Sequence, residues 1–285
     1  ETPKSDAPKK ETPKKEEPKK ETPKKEEPKK ETPKKEEPKA EEPKKETPKK
    51  ETPKIIPAVE GEYETISLCD IKINDFDIDE NNNLYLISSE TNSLYKKDNK
   101  STSCPEKINL LSKTSALNYP IFKPSVIELG NDNSINIIDG RNFFRKFDQN
   151  FKFVSVTGGT GNSVSSFKSP KAISYFANNF YIADSGNNRI IIASVNGTHI
   201  KNIPYKLDEG SGWGSRDGQF NNPIDIDVDK NGYLYIADQL NNRIQKFKPF
   251  DDAKTIYSFD KHWNGSNNNG TKFIKITSLT VDSVH

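Results

Sequence analysis

This sequence lacks the long apolar runs and the metal-ligand clusters that mark several functional classes. No stretch approaches the roughly 20 consecutive apolar residues that a transmembrane helix needs, so we expect no membrane span. The three histidines, His199, His262 and His285, are scattered without the spacing of zinc ligands. No spacing of Ser, Cys, His and Asp typical of nucleophilic catalysis is visible either. The sequence therefore predicts no catalytic, metal-binding or cofactor-binding residues.

Methionine is absent altogether, and the chain begins at Glu1 and ends at His285 inside a repeat. We therefore expect it to be a piece of a longer protein. The sequence contains four Asn-x-Ser/Thr sequons, at Asn99, Asn196, Asn264 and Asn269. Such sequons would suit a secreted or cell-surface protein, but a chain rich in Asn, Ser and Thr also contains them by chance. The compartment stays open.

Cysteine is scarce, with only Cys69 and Cys104 in 285 residues. They could form one disulfide bond or remain two free thiols, and the sequence alone leaves both open.

Residues 1–54 differ in composition from the rest of the chain. Proline occurs there at every fifth position, in a repeat of the form E-[TE]-P-K-K, and Ala7 and Ala40 are its only other apolar residues. Proline fixes φ and removes an amide donor, so neither helix nor sheet can propagate, and little apolar surface offsets the entropy of ordering. We predict a disordered arm that acts as a spacer. A polyvalent lysine-bearing ligand is the alternative.

Residues 55–285 contain short strand-like runs separated by Asn, Asp and Gly. One pattern recurs at 73–98, 124–147, 170–194 and 223–247, and a fifth copy begins at 276. The two clearest copies align on Asp184 and Asp238, which are 54 residues apart. Asp139 and Ser88 occupy the same position in the weaker copies. The chain therefore contains a true internal repeat.

A repeat of this length, with about four short strands in each copy, is typical of the blades of a β-propeller. One four-stranded sheet cannot bury both of its faces, so neighbouring copies must cover each other. Residues 224–228 alternate Ile, Asp, Ile, Asp and Val, which puts the apolar side chains on one face of a strand. Asn231-Gly232 then predicts a hairpin turn. We predict an all-β fold, a β-propeller over residues 55–285.

The segment PIDIDVDKNGYLYIADQLNNRIQKF, preceded by FNNP at 220–223, resembles the NHL repeat. The resemblance covers most of residues 73–285 and is strongest in the third and fourth copies. In the first two copies the Asp-x-x-Asn-x-Arg element is lost or reduced to Asp139-Gly-Arg141. NHL propellers usually have six blades, so the resemblance implies about four and a half blades of a six-bladed ring.

Two sets of polar residues recur in matched positions and look like two copies of a site. They are Asp184, Asn188 and Arg189, and Asp238, Asn242 and Arg243. The resemblance implies a structural role instead, in which an Asp at the end of one strand pairs with an Arg on the next and holds the blade together.

Alternating aspartates form a second pattern, at Asp75, Asp77 and Asp79 and at Asp225, Asp227 and Asp229. A calcium-binding hand needs Gly at its sixth position and Glu at its twelfth, and neither segment has them. Strand alternation explains the spacing without a bound ion.

The loop at 210–219 is the stretch most suited to contact a partner. It contains Trp213 and Arg216, an aromatic and a guanidinium side chain of the kinds that dominate protein interfaces. Its similarity to the connector of the family also allows a structural role.

Three functions remain open. The arm carries 19 Lys against 15 acidic residues, which leaves 25 basic and 27 acidic residues in the propeller. Without a basic excess, nucleic-acid binding is disfavoured. We expect a non-catalytic binding propeller, displayed on the arm, that presents rim loops to a protein or glycan. The alternatives are a metal-dependent enzyme resembling lactonases or amidating lyases, and RNA binding as in NHL proteins of the tripartite-motif class.

Overall fold

The computed structural model describes residues 66–108, 110, 120–204, 213–265 and 272–281. The predicted arm at 1–54 and the first residues of the predicted propeller lie outside the described residues, as do residues 210–212 of the predicted contact loop and His285. Within the described residues, no helix is long and apolar enough to cross a membrane.

The described chain forms four antiparallel sheets of four strands each, numbered here as blades 1 to 4. Blade 1 comprises β1 (Asp75–Ile78), β2 (Leu84–Ser88), β3 (Ser93–Lys97) and β4 (Glu106–Ile108). Blade 2 comprises β5 (Val126–Leu129), β6 (Ile135–Ile138), β7 (Phe143–Phe147) and β8 (Phe153–Gly158). Blade 3 comprises β9 (Ala172–Phe176), β10 (Asn179–Asp184), β11 (Arg189–Ser194) and β12 (His199–Ile203). Blade 4 comprises β13 (Pro223–Val228), β14 (Leu234–Asp238), β15 (Arg243–Pro249) and β16 (Tyr257–Trp263).

The strands of each sheet pair in chain order, and the first strands of successive blades lie side by side. Thus β1 lies beside β5, β5 beside β9, and β9 beside β13. The sheets are therefore stacked around their innermost strands as propeller blades, which confirms the predicted all-β propeller. The predicted turn at Asn231-Gly232 joins β13 to β14, and Gly232 has a φ of +83°, which favours glycine.

Apolar side chains from neighbouring blades pack between the sheets. The rings of Phe144 in blade 2 and Phe180 in blade 3 are 5.1 Å apart, edge to face. Those of Tyr181 in blade 3 and Tyr257 in blade 4 are 5.8 Å apart. Blades 1 and 2 share a third cluster that contains Ile137. Because each fully buried side chain of this size contributes about 1.5–3 kcal/mol, the contacts between blades supply much of the stability of each sheet.

Carboxylates on the innermost strands of blades 1, 2 and 4 accept hydrogen bonds from the next innermost strand. Asp75 of β1 accepts a hydrogen bond from the backbone nitrogen of Ile127 on β5 at 2.9 Å. Asp77 accepts one from Leu129 at 2.7 Å. The innermost strand is the edge of its sheet, so amides that point away from the sheet need other acceptors. For β5, Asp75 and Asp77 of blade 1 provide them.

The same bonds recur beyond blade 4. Asp225 accepts from the backbone nitrogen of Leu279, and Asp227 accepts from that of Val281, both at 2.7 Å. Residues 276–281 therefore occupy the position of the next innermost strand, as expected for the start of a fifth copy.

Cys69 and Cys104 form a disulfide bond in the structure. The bond joins the segment before β1 to the segment before β4, across a sequence separation of 35 residues. Next to it, Leu68 packs against the buried side chains of Leu84 and Leu86. The bridge therefore fastens the start of the described chain to the outer part of blade 1.

Removing this bridge should lower stability. For Cys69→Ser/Cys104→Ser we expect the free energy of unfolding to fall by about 4 kcal/mol, the chain-entropy value for a loop of this length. Urea denaturation with and without dithiothreitol measures it. The reductant should bring the natural chain to the stability of the variant and leave the variant unchanged. A natural chain that does not respond to the reductant would show that the bond contributes nothing.

Candidate ligand-contact rim

The antiparallel blades place two kinds of loop at the same end of the sheets. These are the connectors between blades and the turns between the second and third strands of each blade, here called the upper rim. The other turns form the lower rim. The described upper rim consists of residues 89–92, 110, 120–125, 139–142, 159–171, 185–188, 204, 213–222, 239–242, 264–265 and 272–275.

Buried ion pairs lie directly beneath this rim. Arg189 Nε donates to Asp184 Oδ2 at 2.8 Å, and both side chains are almost fully buried. Arg243 Nε makes the same bond to Asp238 at 2.8 Å. In each pair the Asp ends the second strand and the Arg begins the third. This geometry supports the structural role that the resemblance implies.

The guanidinium groups also hold the connectors. Arg189 Nη2 donates to the carbonyl oxygens of Ser163 and Ser166, both at 2.7 Å. Arg243 Nη2 donates to those of Arg216 and Gln219, both at 2.8 Å. A guanidinium has five N–H donors in a rigid plane, so one side chain fixes both a carboxylate and two loop carbonyls.

The asparagines of the two sets have a different function from the Asp–Arg pairs. Asn188 and Asn242 adopt left-handed backbone conformations with φ of 53° and 50°, which Asn tolerates better than most residues. Asn188 Oδ1 accepts from the backbone nitrogen of Asn222 in the next blade at 2.8 Å. The side-chain amide of Asn242 lies 2.9 Å from the carbonyl oxygen of Ile274. These asparagines join neighbouring blades at the upper rim.

In blade 2, the interpretation of Asp139-Gly-Arg141 as the reduced Asp-x-x-Asn-x-Arg element was wrong. Asp139 pairs with Arg145, whose Nε donates to Asp139 Oδ2 at 2.8 Å in a buried contact. Arg141 instead donates to the carbonyl oxygen of Pro120 at 3.2 Å on the surface. The turn of blade 2 is one residue shorter than in blade 3, so the guanidinium comes from farther along the third strand. Asn142 keeps the link between blades, to Ser169 at 3.1 Å.

Trp213 and Arg216 lie on the upper rim, on the connector before blade 4. The side chain of Trp213 is 62% exposed. The backbone of Arg216 is held by Gln219 and Arg243, while the residue is exposed. The two residues share a loop, but Arg216 lines the groove described next and Trp213 does not.

A polar groove of about 510 Å³ opens beside this connector. It is lined by Ser215, Arg216, Asp217, Asn241, Arg243, His262 and Asn264. His262 lies on β16, and its Nδ1 is 2.9 Å from Asp217 Oδ1. The same carboxylate oxygen lies 3.6 Å from Arg243 Nη1. Spacing did not suggest this pair, because only the position of the outer strand beside the connector brings the two residues together.

Blade 2 contributes a second aromatic–guanidinium pair to the upper rim. The guanidinium of Arg141 lies 4.9 Å from the centroid of the Phe122 ring, within cation–π range. Phe122 is 38% exposed. The sequence held no signal for this pair, because Phe122 lies in a connector and Arg141 was assigned to the repeat element.

The innermost strands carry a group of carboxylates, which are the candidates for a metal site in the channel. Burial raises the pKa of Glu128 on β5 well above its usual range, and the nearby carboxylate of Asp77 adds to the shift. Burial likewise raises the pKa of Asp75, Asp77 and Asp225, against hydrogen bonds from backbone amides of the next blade. Among the described residues, no group of three or more His, Cys, Asp or Glu is arranged to hold a metal ion. Asp75, Asp77, Asp225 and Asp227 serve as acceptors between blades.

Loss of one partner of a buried ion pair should be costly. We expect Asp184→Ala to lower the free energy of unfolding by about 3–5 kcal/mol, because the guanidinium of Arg189 then stays buried without its carboxylate. Urea denaturation of Asp184→Ala, Arg189→Ala and the double variant measures the coupling. The double variant should lose clearly less than the sum of the single losses. Additive losses would contradict a direct pair.

Neutralising Glu128 should stabilise the fold at high pH. Because the folded-state pKa is raised, the stability that Glu128 contributes is present at low pH and is lost as the pH rises through that pKa. In the natural chain, Glu128 Oε1 accepts from the backbone nitrogen of Tyr175 at 2.6 Å. In Glu128→Gln the side chain stays neutral at every pH, and its amide oxygen can accept the same hydrogen bond. We expect a melting temperature a few degrees higher at pH 8, as about 1 kcal/mol would cause, and no difference near pH 4. The exposed Glu80→Gln is the control, and an unchanged or lower value for Glu128→Gln at pH 8 would contradict the expectation.

Comparison with known proteins agrees with this architecture. Residues 220–247 match the family model described as NHL repeat, and they span the end of the connector, β13, β14 and most of β15. The E3 ubiquitin-protein ligase TRIM71 of Bos taurus is 39% identical over 18% of this chain. The protein of that name from Xenopus tropicalis is 35% identical over 21% of this chain. The match covers 8% and 9% of these two relatives.

A solved structure of a streptogramin B lyase resembles this chain in fold. It has a TM-score of 0.50 and 14% identity, and the match covers 70% of this chain and 57% of the lyase. At this identity the likeness concerns the fold alone. The four described blades share one pattern and the fourth matches the family model, so the chain is a β-propeller that contains an NHL repeat at residues 220–247.

Proposed function

We propose that this propeller is a non-catalytic binding module that presents its upper rim to a protein or glycan partner. The observation that carries the proposal is a set of exposed apolar side chains on the upper rim of three successive blades. They are Phe122 at 38%, Val164 at 56%, Trp213 at 62% and Leu240 at 60% exposure. In the turns of the described lower rim, the large exposed apolar residues are Phe250 and Ile256, both in one turn.

The rim combines this apolar surface with a rigid backbone. The connectors of blades 3 and 4 are held by buried Arg189 and Arg243, so their shape does not depend on the side chains that face solvent. A surface that is ordered before binding loses little conformational entropy on association. Exposed aromatic and Arg side chains on such a surface are the usual anchors of protein interfaces. The arm remains a predicted tether for this surface.

The other two functions have less support. In the enzyme alternative, a metal in the channel would need free carboxylates from several blades. Asp75, Asp77, Asp225 and Asp227 already accept hydrogen bonds from the next blade. RNA binding would need a basic surface, and the propeller has no basic excess. The E3 ubiquitin-protein ligase relatives match over a small part of their length, so their activity does not extend to this chain.

Site-specific cross-linking tests the proposal. A photo-crosslinking phenylalanine derivative replaces Trp213 on the upper rim or, as the matched control, Phe250 on the lower rim. We expect position 213 to form a covalent adduct with the partner. The yield of this adduct should saturate, and excess natural chain should suppress it. Position 250 should form no adduct. Equal adducts from both rims, or no saturable adduct at 213, would contradict the proposal.

The partner identified in this way allows a quantitative test. Trp213→Ala/Arg216→Ala should weaken binding at least tenfold, which corresponds to about 1.4 kcal/mol. The melting temperature should stay unchanged, because the shape of the connector depends on backbone contacts. A fall in the melting temperature together with affinity would return both residues to a structural role.

A further inference from the structure

Blade 3 can be compared with blade 4 to show which residues of the groove the fold requires. The connectors before blades 3 and 4 have the same backbone bonds, with Gly161 N donating to Phe167 O at 2.9 Å and Gly214 N donating to Phe220 O at 3.0 Å. Each is also held by the buried Arg of its own blade. The two loops are therefore one scaffold with different side chains.

The residues that line the groove are those in which the two blades differ. Arg216 and Asp217 of blade 4 correspond to Ser163 and Val164 of blade 3. His262 on β16 faces Gln245, and Asn202 on β12 faces Ile191 at the equivalent position. Because blade 3 forms the same connector without them, Arg216, Asp217 and His262 are not required by the fold.

These three side chains retain unused bonding capacity. Asp217 Oδ1 accepts from His262 Nδ1, and in the neutral imidazole that donates from Nδ1 the other nitrogen, Nε2, is an acceptor. Among the described residues, neither Asp217 Oδ2 nor His262 Nε2 makes a hydrogen bond. The guanidinium of Arg216 pairs with no carboxylate in the same part of the chain. The groove thus offers free donors and free acceptors side by side.

The free donors and acceptors of the groove determine which chemical groups of a ligand can bind there. A carboxylate or phosphate has acceptors for Arg216 but no donor for Asp217 or His262. An ammonium group has donors only. A hydroxyl group of a ligand can both donate and accept a hydrogen bond. The hydroxyl group of Ser215 in the groove can do the same. Two positive charges line the groove, and each has a carboxylate to balance it: Asp217 lies in the groove with Arg216, and the buried Asp238 pairs with Arg243. The groove together with Asp238 therefore has no excess of either sign to attract an ion.

We propose that the groove of blade 4 binds the vicinal hydroxyl groups of a neutral sugar, as part of a glycan. Arg216 donates to one hydroxyl oxygen, while Asp217 Oδ2 and His262 Nε2 accept from hydroxyl protons. Trp213, on the same connector, presents an exposed ring at this rim. A volume of about 510 Å³ lies within the usual range of small-ligand sites. This inference rests on the proposed function and names the class of partner.

An array of oligosaccharides tests the inference with the purified full chain. The array holds neutral glycans and their sialylated and sulfated counterparts. We expect binding to neutral glycans that a free neutral oligosaccharide of the same structure competes away. Binding confined to sialylated or sulfated glycans would overturn the proposal and indicate an anion site.

Variants that copy the residues of blade 3 locate the site. Arg216→Ser/Asp217→Val gives blade 4 the residues of blade 3, so the connector should fold and the melting temperature should not change. We expect the affinity for the bound glycan to fall at least tenfold, and Phe250→Ala on the lower rim to have no effect. Unchanged affinity in the double variant would overturn the assignment to this groove.

Two further measurements distinguish a glycan attached to a protein from a soluble sugar. A glycoprotein with neutral high-mannose chains, measured before and after their enzymatic removal, shows whether the sugar is recognised on a protein. Loss of binding after removal supports recognition of an attached glycan, and binding of the free oligosaccharide alone supports a soluble sugar. If no neutral glycan binds while the cross-link from position 213 persists, this inference fails and the binding function stands. If both are absent, both fail.

Discussion

The buried Asp–Arg pair beneath the upper rim is the contact on which the other features of this propeller depend. In blades 3 and 4 the Asp ends the second strand, the Arg begins the third, and the guanidinium continues to the carbonyl oxygens of the connector. A charged pair is stable at this depth because nearly every donor and acceptor is used. The pair therefore fixes strand ends, turn and connector at once.

Contacts of a second kind hold the blades to each other. At the inner edges of blades 1, 2 and 4, Asp and Glu carboxylates accept from the next innermost strand, and the upper rim is linked by left-handed asparagines. The carboxylates that do this are crowded together, and burial raises the pKa of several of them. These carboxylates are therefore buried beside one another because each accepts a backbone hydrogen bond from the next blade. The repeated aspartates at 75, 77, 225 and 227 serve as such acceptors.

Because the backbone of the connectors is secured from below, their outward side chains are free to differ. Blade 3 has Ser163 and Val164 where blade 4 has Arg216 and Asp217, on the same loop geometry. The groove next to His262 exists in blade 4 for this reason. In the proposed function, binding depends on the residues that the blades do not share.

The sequence by itself determined the repeat, the strands and the turns, since strand alternation and Asn-Gly turns are local properties of the chain. The pairing of Asp184 with Arg189 was implied by the resemblance to the NHL repeat, and the structure contains that bond. The tertiary structure decided what depends on distant segments. Arg145 replaces Arg141 as the partner of Asp139, since a shorter turn shifts the third strand. Asp217 meets His262 only because the outer strand of blade 4 returns beside the connector, and no local pattern records that approach.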